Sequence, residues 1–146
     1  MFEIKPISQA DFTQWLDLWQ GYLSFYEAEL PEEVTQTTFD RILKSEIHGA
    51  IAIDDSGKAL GIVHWLTHLD TWSIEDTCYL EDLFVSSQAR GQGVGRSLIR
   101  YVETWARQNN LAKVYWLTAE NNLTARALYE KVADKTGFIH YEIRDK

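Results

Sequence analysis

The sequence predicts a mixed α/β fold, in which helices pack on one sheet that contains both antiparallel and parallel strands. Three observations carry that expectation. Apolar residues recur at three- and four-residue spacing over 11–25 and again over 94–109, the pattern of helices that bury one face. Residues 49–53 and 60–66 are strand-like and flank Asp54-Asp55-Ser56-Gly57-Lys58, whose Ser-Gly turn marks a hairpin and therefore an antiparallel pair. A strand-like run at 79–85, the helix at 94–109 and an apolar run at 114–118 then follow in order. A strand-helix-strand unit of this length gives a parallel pair with a right-handed crossover.

Residues 2–7 alternate as a short edge strand that Pro6 stops, and Ser8 is placed to cap the helix that follows. That helix presents Phe12, Trp15, Leu16, Trp19, Tyr22 and Leu23 as one wide apolar stripe. Residues 26–30 read as a connection, after which Pro31 opens a second helical stretch carrying Val34, Phe39, Ile42 and Leu43. Beyond the hairpin, residues 68–76 form a polar connection with a single Trp72, and residues 78–85 form the next strand. The long helix sets Val94, Leu98, Tyr101, Val102 and Trp105 on one face, with Arg96, Arg100 and Arg107 largely off it, and Asn109-Asn110 ends it. Val114-Tyr115-Trp116-Leu117-Thr118 is continuously apolar, as expected of a strand buried on both faces. Asn121-Asn122 precede a helix reaching about Ala133, and residues 136–143 close the chain as a strand. With no repeat, linker or low-complexity segment, residues 1–146 read as a single domain.

Composition narrows the function classes. A chain with 45% hydrophobic and 25% charged residues is globular rather than disordered. Cys78 is the only cysteine, which rules out an internal disulfide and a cysteine metal cluster, and His48, His64, His68 and His140 lack metal-ligand spacing. None of these histidines calls for a catalytic role, and no metal is expected. No apolar run approaches the roughly 20 residues of a membrane span, and the first residues lack a secretory core, so the expected location is cytoplasmic, away from membranes. Asn122-Leu123-Thr124 then has no meaning as a glycosylation site. The net charge of −8 argues against nucleic-acid binding, but the charge is unevenly placed. Residues 1–82 hold 16 acidic and 4 basic residues, whereas residues 83–146 hold 6 acidic and 10 basic. An acidic first half suits a small cationic substrate, and equally an ordinary solubilising surface.

The most informative stretch is Leu83-Phe84-Val85-Ser86-Ser87-Gln88-Ala89-Arg90-Gly91-Gln92-Gly93-Val94-Gly95-Arg96-Ser97, which joins a strand to a helix through a glycine-rich turn. Glycines at 91, 93 and 95 let the backbone approach a bulky group, and the free N–H groups of the following helix's first turn favour an anion. This is a phosphate cradle. The dinucleotide fingerprint and the P-loop require other glycine, acidic and Lys-Ser/Thr placements, and neither fits.

Arg90-x-x-Gly93-x-Gly95 after Tyr79-Leu80-Glu81-Asp82-Leu83-Phe84-Val85 closely resembles the acyl-CoA pyrophosphate loop of the GCN5-related N-acetyltransferase (GNAT) superfamily. The element order β-α-α-β-β-β-α-β-α-β is similar to that fold over nearly the whole chain. The resemblance implies acetyl-CoA as co-substrate. Leu83, Phe84 and Val85 would border its pantetheine arm, and residues 90–97 would wrap the pyrophosphate with added charge from Arg90 and Arg96, which as helix-start arginines can also be plain solvated residues. Asn121-Asn122-Leu123-Thr124-Ala125-Arg126-Ala127-Leu128-Tyr129 resembles the family's second cofactor motif. Asn121 or Asn122 would bond the pantetheine amides near Ala125, and Tyr129 would be the general acid for the departing thiolate. A helix cap and a core aromatic are the plainer readings of Asn122 and Tyr129.

Glu81 and Asp82 are adjacent carboxylates within an otherwise apolar strand, which strict alternation sends to opposite faces. Burial of either without a partner is costly, so at least one must meet a cation, a water, a substrate or a salt-bridging strand neighbour. Residues 128–141 resemble a branch that includes yeast histone and polyamine acetyltransferases and bacterial diamine acetyltransferases, and Tyr-Leu-Glu-Asp resembles the corresponding run of the polyamine enzymes. That resemblance implies Glu81 as base, directly or through water, and Asp82 as an amine-binding group. Tyr26, Glu27 and Glu29 lie where related enzymes line the acceptor site, and Trp72 beside Glu75 and Asp76 is a further candidate. Members of that branch commonly form dimers through their last strands, so a homodimer is expected. A small diamine or polyamine leads as acceptor, with a protein lysine or an amino acid behind it. A noncatalytic acyl-CoA-binding module is the alternative of another class, although it would have no chemical need for Glu81 and Tyr129.

Overall fold

The computed structural model describes residues 1–145. Strand β1 (Phe2–Pro6) leads through a 3₁₀ turn at Gln9–Asp11 into helices α1 (Phe12–Phe25) and α2 (Glu32–Leu43). Strands β2 (His48–Asp54), β3 (Ala59–His68) and β4 (Thr77–Val85) follow, then a 3₁₀ turn at Ser87–Ala89, helix α3 (Val94–Gln108), β5 (Val114–Tyr115) and α4 (Leu123–Val132). The five strands lie in chain order in one sheet, antiparallel from β1 to β4 and parallel between β4 and β5.

The helix starts are set locally. Asp11 accepts from the Ser8 backbone N–H at 2.8 Å and binds Lys5 Nζ at 3.0 Å, which closes the entry to α1. Pro31 stands immediately before α2, and the acidic Glu32 and Glu33 meet its positive end. The hairpin turn is held by Asp54 Oδ1, which accepts from the backbone N–H groups of Ser56 and Lys58, while Gly57 takes a φ of +86°.

Alternation along the strands feeds two cores. On one face, Ile51 and Ile62 pack with Trp15, Leu18 and Trp19 of α1 and Phe39 and Ile42 of α2. On the other, Ala50, Ala52, Val63, Trp65 and Leu80 pack with Val94, Leu98 and Val102 of α3, and with Leu128, Tyr129 and Val132 of α4 at the margin.

Two expectations fail at the C-terminal side of the sheet. The apolar run at 114–118 is not a doubly buried strand: only Val114 and Tyr115 pair, with Cys78 and Tyr79, and Leu117 is 49% exposed. The strand expected over 136–143 does not form either, and Phe138, Ile139, Tyr141 and Ile143 stand largely in solvent. Both have one physical cause. A strand is stabilised by a neighbour that takes its backbone bonds, and β5 departs from β4 after two residues, leaving little edge to extend.

Candidate active site

Beyond Tyr79, β4 has β3 on one side and no paired strand on the other. The opening is a cleft lined by Tyr22, Tyr26, Leu80, Glu81, Leu83, Ile99, Trp116, Leu117 and Tyr129. Tyr129 enters it from α4, edge-on to Trp116 with ring centroids 5.4 Å apart. Burial, and secondarily Tyr26, pushes the Tyr129 phenol up to about 12, so it stays protonated at neutral pH. From the other side, Tyr22 and Tyr26 meet edge to face at 5.0 Å.

The paired carboxylates are placed by a break in strand register. His64 opposes Asp82 but Trp65 opposes Leu80, so Glu81 is an extra residue in β4. Leu80 packs with the α3 core, yet Asp82, two residues on, faces the α1 side with His64. Strict alternation would have returned Asp82 to the α3 side, so the extra residue, not alternation, sets the face of Asp82. Burial first, and then the nearby Asp82 and Glu81 carboxylates, raise the Tyr22 phenol above its usual range. Burial first, and the neighbouring Asp82 charge second, raise the Glu81 carboxyl above its usual range, with His64 opposing.

Asp82 has a partner that sequence reasoning passed over. His64 is 1% exposed, and its Nδ1 lies 3.0 Å from Asp82 Oδ2 while its Nε2 accepts from Trp15 Nε1 at 2.9 Å. The available signal was one imidazole inside the apolar stretch 60–66, but only the register of β3 against β4 reveals what it faces.

At the top of β4, Gly91 and Gly93 take φ values of +80° and +79°, and Gly93 caps α3. The N–H groups of residues 94–96, the first turn of α3, make no backbone hydrogen bond among the described residues and are the free donors of that helix start. An added Cβ at Gly91 or Gly93 would meet no protein atom within 4 Å. The glycines are therefore required by the left-handed backbone and not by the protein's own packing. Gly95 differs: it lies in regular helix, where an added Cβ would be in ordinary contact with Val85 and Leu128.

The model of the Acetyltransferase (GNAT) family matches residues 13–134. The chain belongs to this family. It is 39% identical to the D-amino-acid N-acetyltransferase HPA3 of Saccharomyces cerevisiae, covering 95% of this chain and 88% of that protein. It is 26% identical to the aminoglycoside N(6')-acetyltransferase type 1 of Acinetobacter haemolyticus, covering 88% of each. Among solved structures, AAC(6')-Iy in complex with a CoA-containing bisubstrate analogue superposes with a TM-score of 0.86 at 17% identity, covering 100% of this chain and 99% of that one. The protein is thus an N-acetyltransferase, and GNAT enzymes draw the acetyl group from acetyl-CoA.

The acetyltransferase chain fits that donor on its own geometry: the free N–H donors at the start of α3 suit a pyrophosphate, and an unpaired β4 edge suits an amide-bearing arm. Leu83 and Val85 side chains turn to the α3 core, whereas Phe84 packs against α1 and Tyr22. Arg90 and Arg96 are exposed beside the turn, with Gln92 exposed and Ser97 half-buried. Asn122 caps α4 by accepting from the Ala125 N–H at 3.4 Å, and Asn121 is exposed just before it. The candidates for the acceptor side are not all gathered. Tyr26 lines the cleft, but Glu27 and Glu29 are exposed in the turn after α1, where Glu27 takes a φ of +53°. Trp72 is 90% exposed on the β3–β4 connection and is not part of the cleft lining, because Asp70 folds that connection on itself through the Trp72 N–H and Thr77. Among the described residues no cluster of His, Cys, Asp or Glu could hold a metal, and no helix is long and apolar enough to cross a membrane.

Proposed function

We propose that the enzyme acetylates a primary amine of a small cationic acceptor, best a short diamine or polyamine, by direct transfer with both substrates bound. The observation that carries this reading is the cleft lining, which brings Glu81 and three tyrosines together and contains no Lys, Arg or His. Such a wall favours a second ammonium and offers no cation to a carboxylate. Acetyl-CoA supplies the acyl group as a thioester. The N–H groups of residues 91–96, with Arg90 and Arg96, hold its pyrophosphate, while the β4 edge at residues 83–85 and the start of α4 at Asn121, Asn122 and Ala125 border its pantetheine. Glu81 accepts the proton that the acceptor ammonium must lose, directly or through a water. Asp82 and Tyr26 hold the amine, with Glu27 and Glu29 drawing it in. Tyr129 donates the proton that the sulfur needs when the carbon–sulfur bond breaks.

An amino-acid acceptor is the second reading, and the 39% identity to a D-amino-acid N-acetyltransferase favours it. Thiol release from acetyl-CoA, measured across short diamines, equal-length monoamines, D- and L-amino acids and a basic peptide, separates the readings. Highest kcat/KM for a diamine is expected; a clear preference for D-amino acids would replace the first reading with the second.

The same reading takes residues 1–146 as one catalytic domain, working in the cytoplasm as a homodimer and independent of nucleic acid and membranes. Support for the dimer comes from the apolar residues exposed along 136–143, since a segment of this composition without a partner in its own chain is stabilised by a second chain.

A further inference from the structure

The imidazole of His64 has both nitrogens engaged by groups of known polarity. An indole N–H can only donate, so His64 Nε2, 2.9 Å from Trp15 Nε1, must be the acceptor. In the neutral ring the proton then sits on Nδ1, and that N–H donates to Asp82 Oδ2 at 3.0 Å. Moving a proton to Nε2 would set two donors against each other within van der Waals contact. A proton that reached Asp82 therefore has no onward path through the ring, because the chain of hydrogen bonds ends at an indole. What the ring does supply is a fixed direction for the carboxylate.

The surroundings make that direction rigid. His64 packs beside the stacked rings of Trp15 and Trp19, with centroids 6.0 and 5.5 Å away, and Trp15 is itself fully buried. Trp15, Trp19 and Tyr22 stand on one stripe of α1, so one helix delivers both the indole to His64 and the phenol to Asp82. The Phe84 ring fills the space at Gly21, 2.9 Å from where a Cβ would be, which holds α1 close against β4. The Asp82 side chain nevertheless keeps 15% of its surface exposed, next in sequence to Glu81 of the cleft lining. Finally, the extra residue at Glu81 is what turns Asp82 toward His64 at all.

We propose that Trp15 and His64 are positioning residues of the acceptor site: Trp15 fixes the Nδ1–H tautomer of His64, and His64 holds Asp82 between Tyr22 and Glu81 as an oriented anchor for the acceptor ammonium, not as a proton acceptor. This rests on the reading above that Asp82 binds the amine. It adds two residues that touch neither substrate, and it divides labour between adjacent carboxylates, with Glu81 moving the proton and Asp82 staying fixed.

The experiment has a spectroscopic and a kinetic arm, both on the full chain. In protein labelled with ¹⁵N-histidine, His64 is expected to show a protonated Nδ1 and an unprotonated Nε2, and Trp15→Phe is expected to release a mixture of tautomers. A protonated Nε2 in the wild-type protein, or an unchanged tautomer in a folded Trp15→Phe variant, overturns the proposal. At saturating acetyl-CoA, His64→Leu is expected to raise KM for the best amine by roughly tenfold or more, the scale of one hydrogen bond to a charged group, with a smaller change in kcat. His64→Asn keeps an N–H near the Nδ1 position and should recover most of that loss. Wild-type KM in a folded His64→Leu protein, equal losses in both variants, or a parallel fall in acetyl-CoA affinity each overturns the positioning role. A wild-type protein that acetylates none of the amines sinks the acceptor reading alone, and the tautomer spectra still decide what Trp15 and His64 do.

Discussion

At the scale of single residues, burial raises both titratable groups proposed to carry the proton transfers. Tyr129 is held protonated by burial, and the Glu81 carboxyl is raised above its usual range by burial and by Asp82. Tyr129→Phe keeps the ring against Trp116 but removes the proton, so kcat should fall by about 10²-fold with little change in acetyl-CoA affinity, as read by single-turnover kinetics and calorimetry. An unaltered kcat where chemistry limits the rate would take Tyr129 out of the mechanism. The sign for Glu81 follows from its role. As a base it acts deprotonated, and because its pKa is raised, the acidic limb of kcat/KM should lie above the ordinary carboxylate value and activity should rise with pH through it. Asp82→Asn removes the like charge, so the limb should move to lower pH, and Glu81→Gln should abolish it. A limb that survives in Glu81→Gln belongs to another group.

At the scale of elements, the cradle and the bulge show how far local sequence carries an argument. Glycines 91 and 93 are legible because positive φ is a property of the residue itself. Gly93→Val puts a β-branched side chain at φ +79°, a strain of about 1–3 kcal/mol, and on the proposed pyrophosphate site it would also crowd the phosphates; acetyl-CoA affinity should drop roughly tenfold or more by calorimetry. Unchanged affinity in a folded variant would place the pyrophosphate elsewhere. The bulge was not legible. Whether Glu81 is paired or extra depends on the register of β4 against β3, which no alternation pattern within one strand contains. Hence the sequence named both carboxylates but not which way Asp82 turns, and it named His64 without the partner that the register gives it.

At the scale of the whole molecule, the division into an acidic first half and a basic second half makes an electrostatic prediction. A diamine should exceed an equal-length monoamine in kcat/KM at low salt, and raising ionic strength should increase KM for the diamine more steeply, since screening acts hardest on exposed carboxylates such as Glu27 and Glu29. Equal salt responses would remove the charge asymmetry from acceptor selection. The exposed C-terminal stretch makes another. Deleting residues 136–146 should convert a dimer to a monomer in analytical ultracentrifugation, and a dimer that persists after deletion would locate the interface elsewhere.

The sequence by itself determined the mixed α/β class, the places of all four helices, the hairpin and the glycine turn. Each of these depends on periodicity or on residue conformation within a short window. It also determined the chemistry available, since Tyr129, Glu81 and Asp82 are titratable groups in stretches that demand a reason for them. Only the tertiary structure decided which of these groups meet. The splay of β4 from β5 opened the cleft that joins Tyr22 and Tyr26 to Tyr129, the register shift turned Asp82 to His64, and the short β5 left residues 136–143 without a partner in their own chain. These features arise from pairing between segments distant along the chain, whose free energy depends on register and packing rather than on the residues of either segment alone.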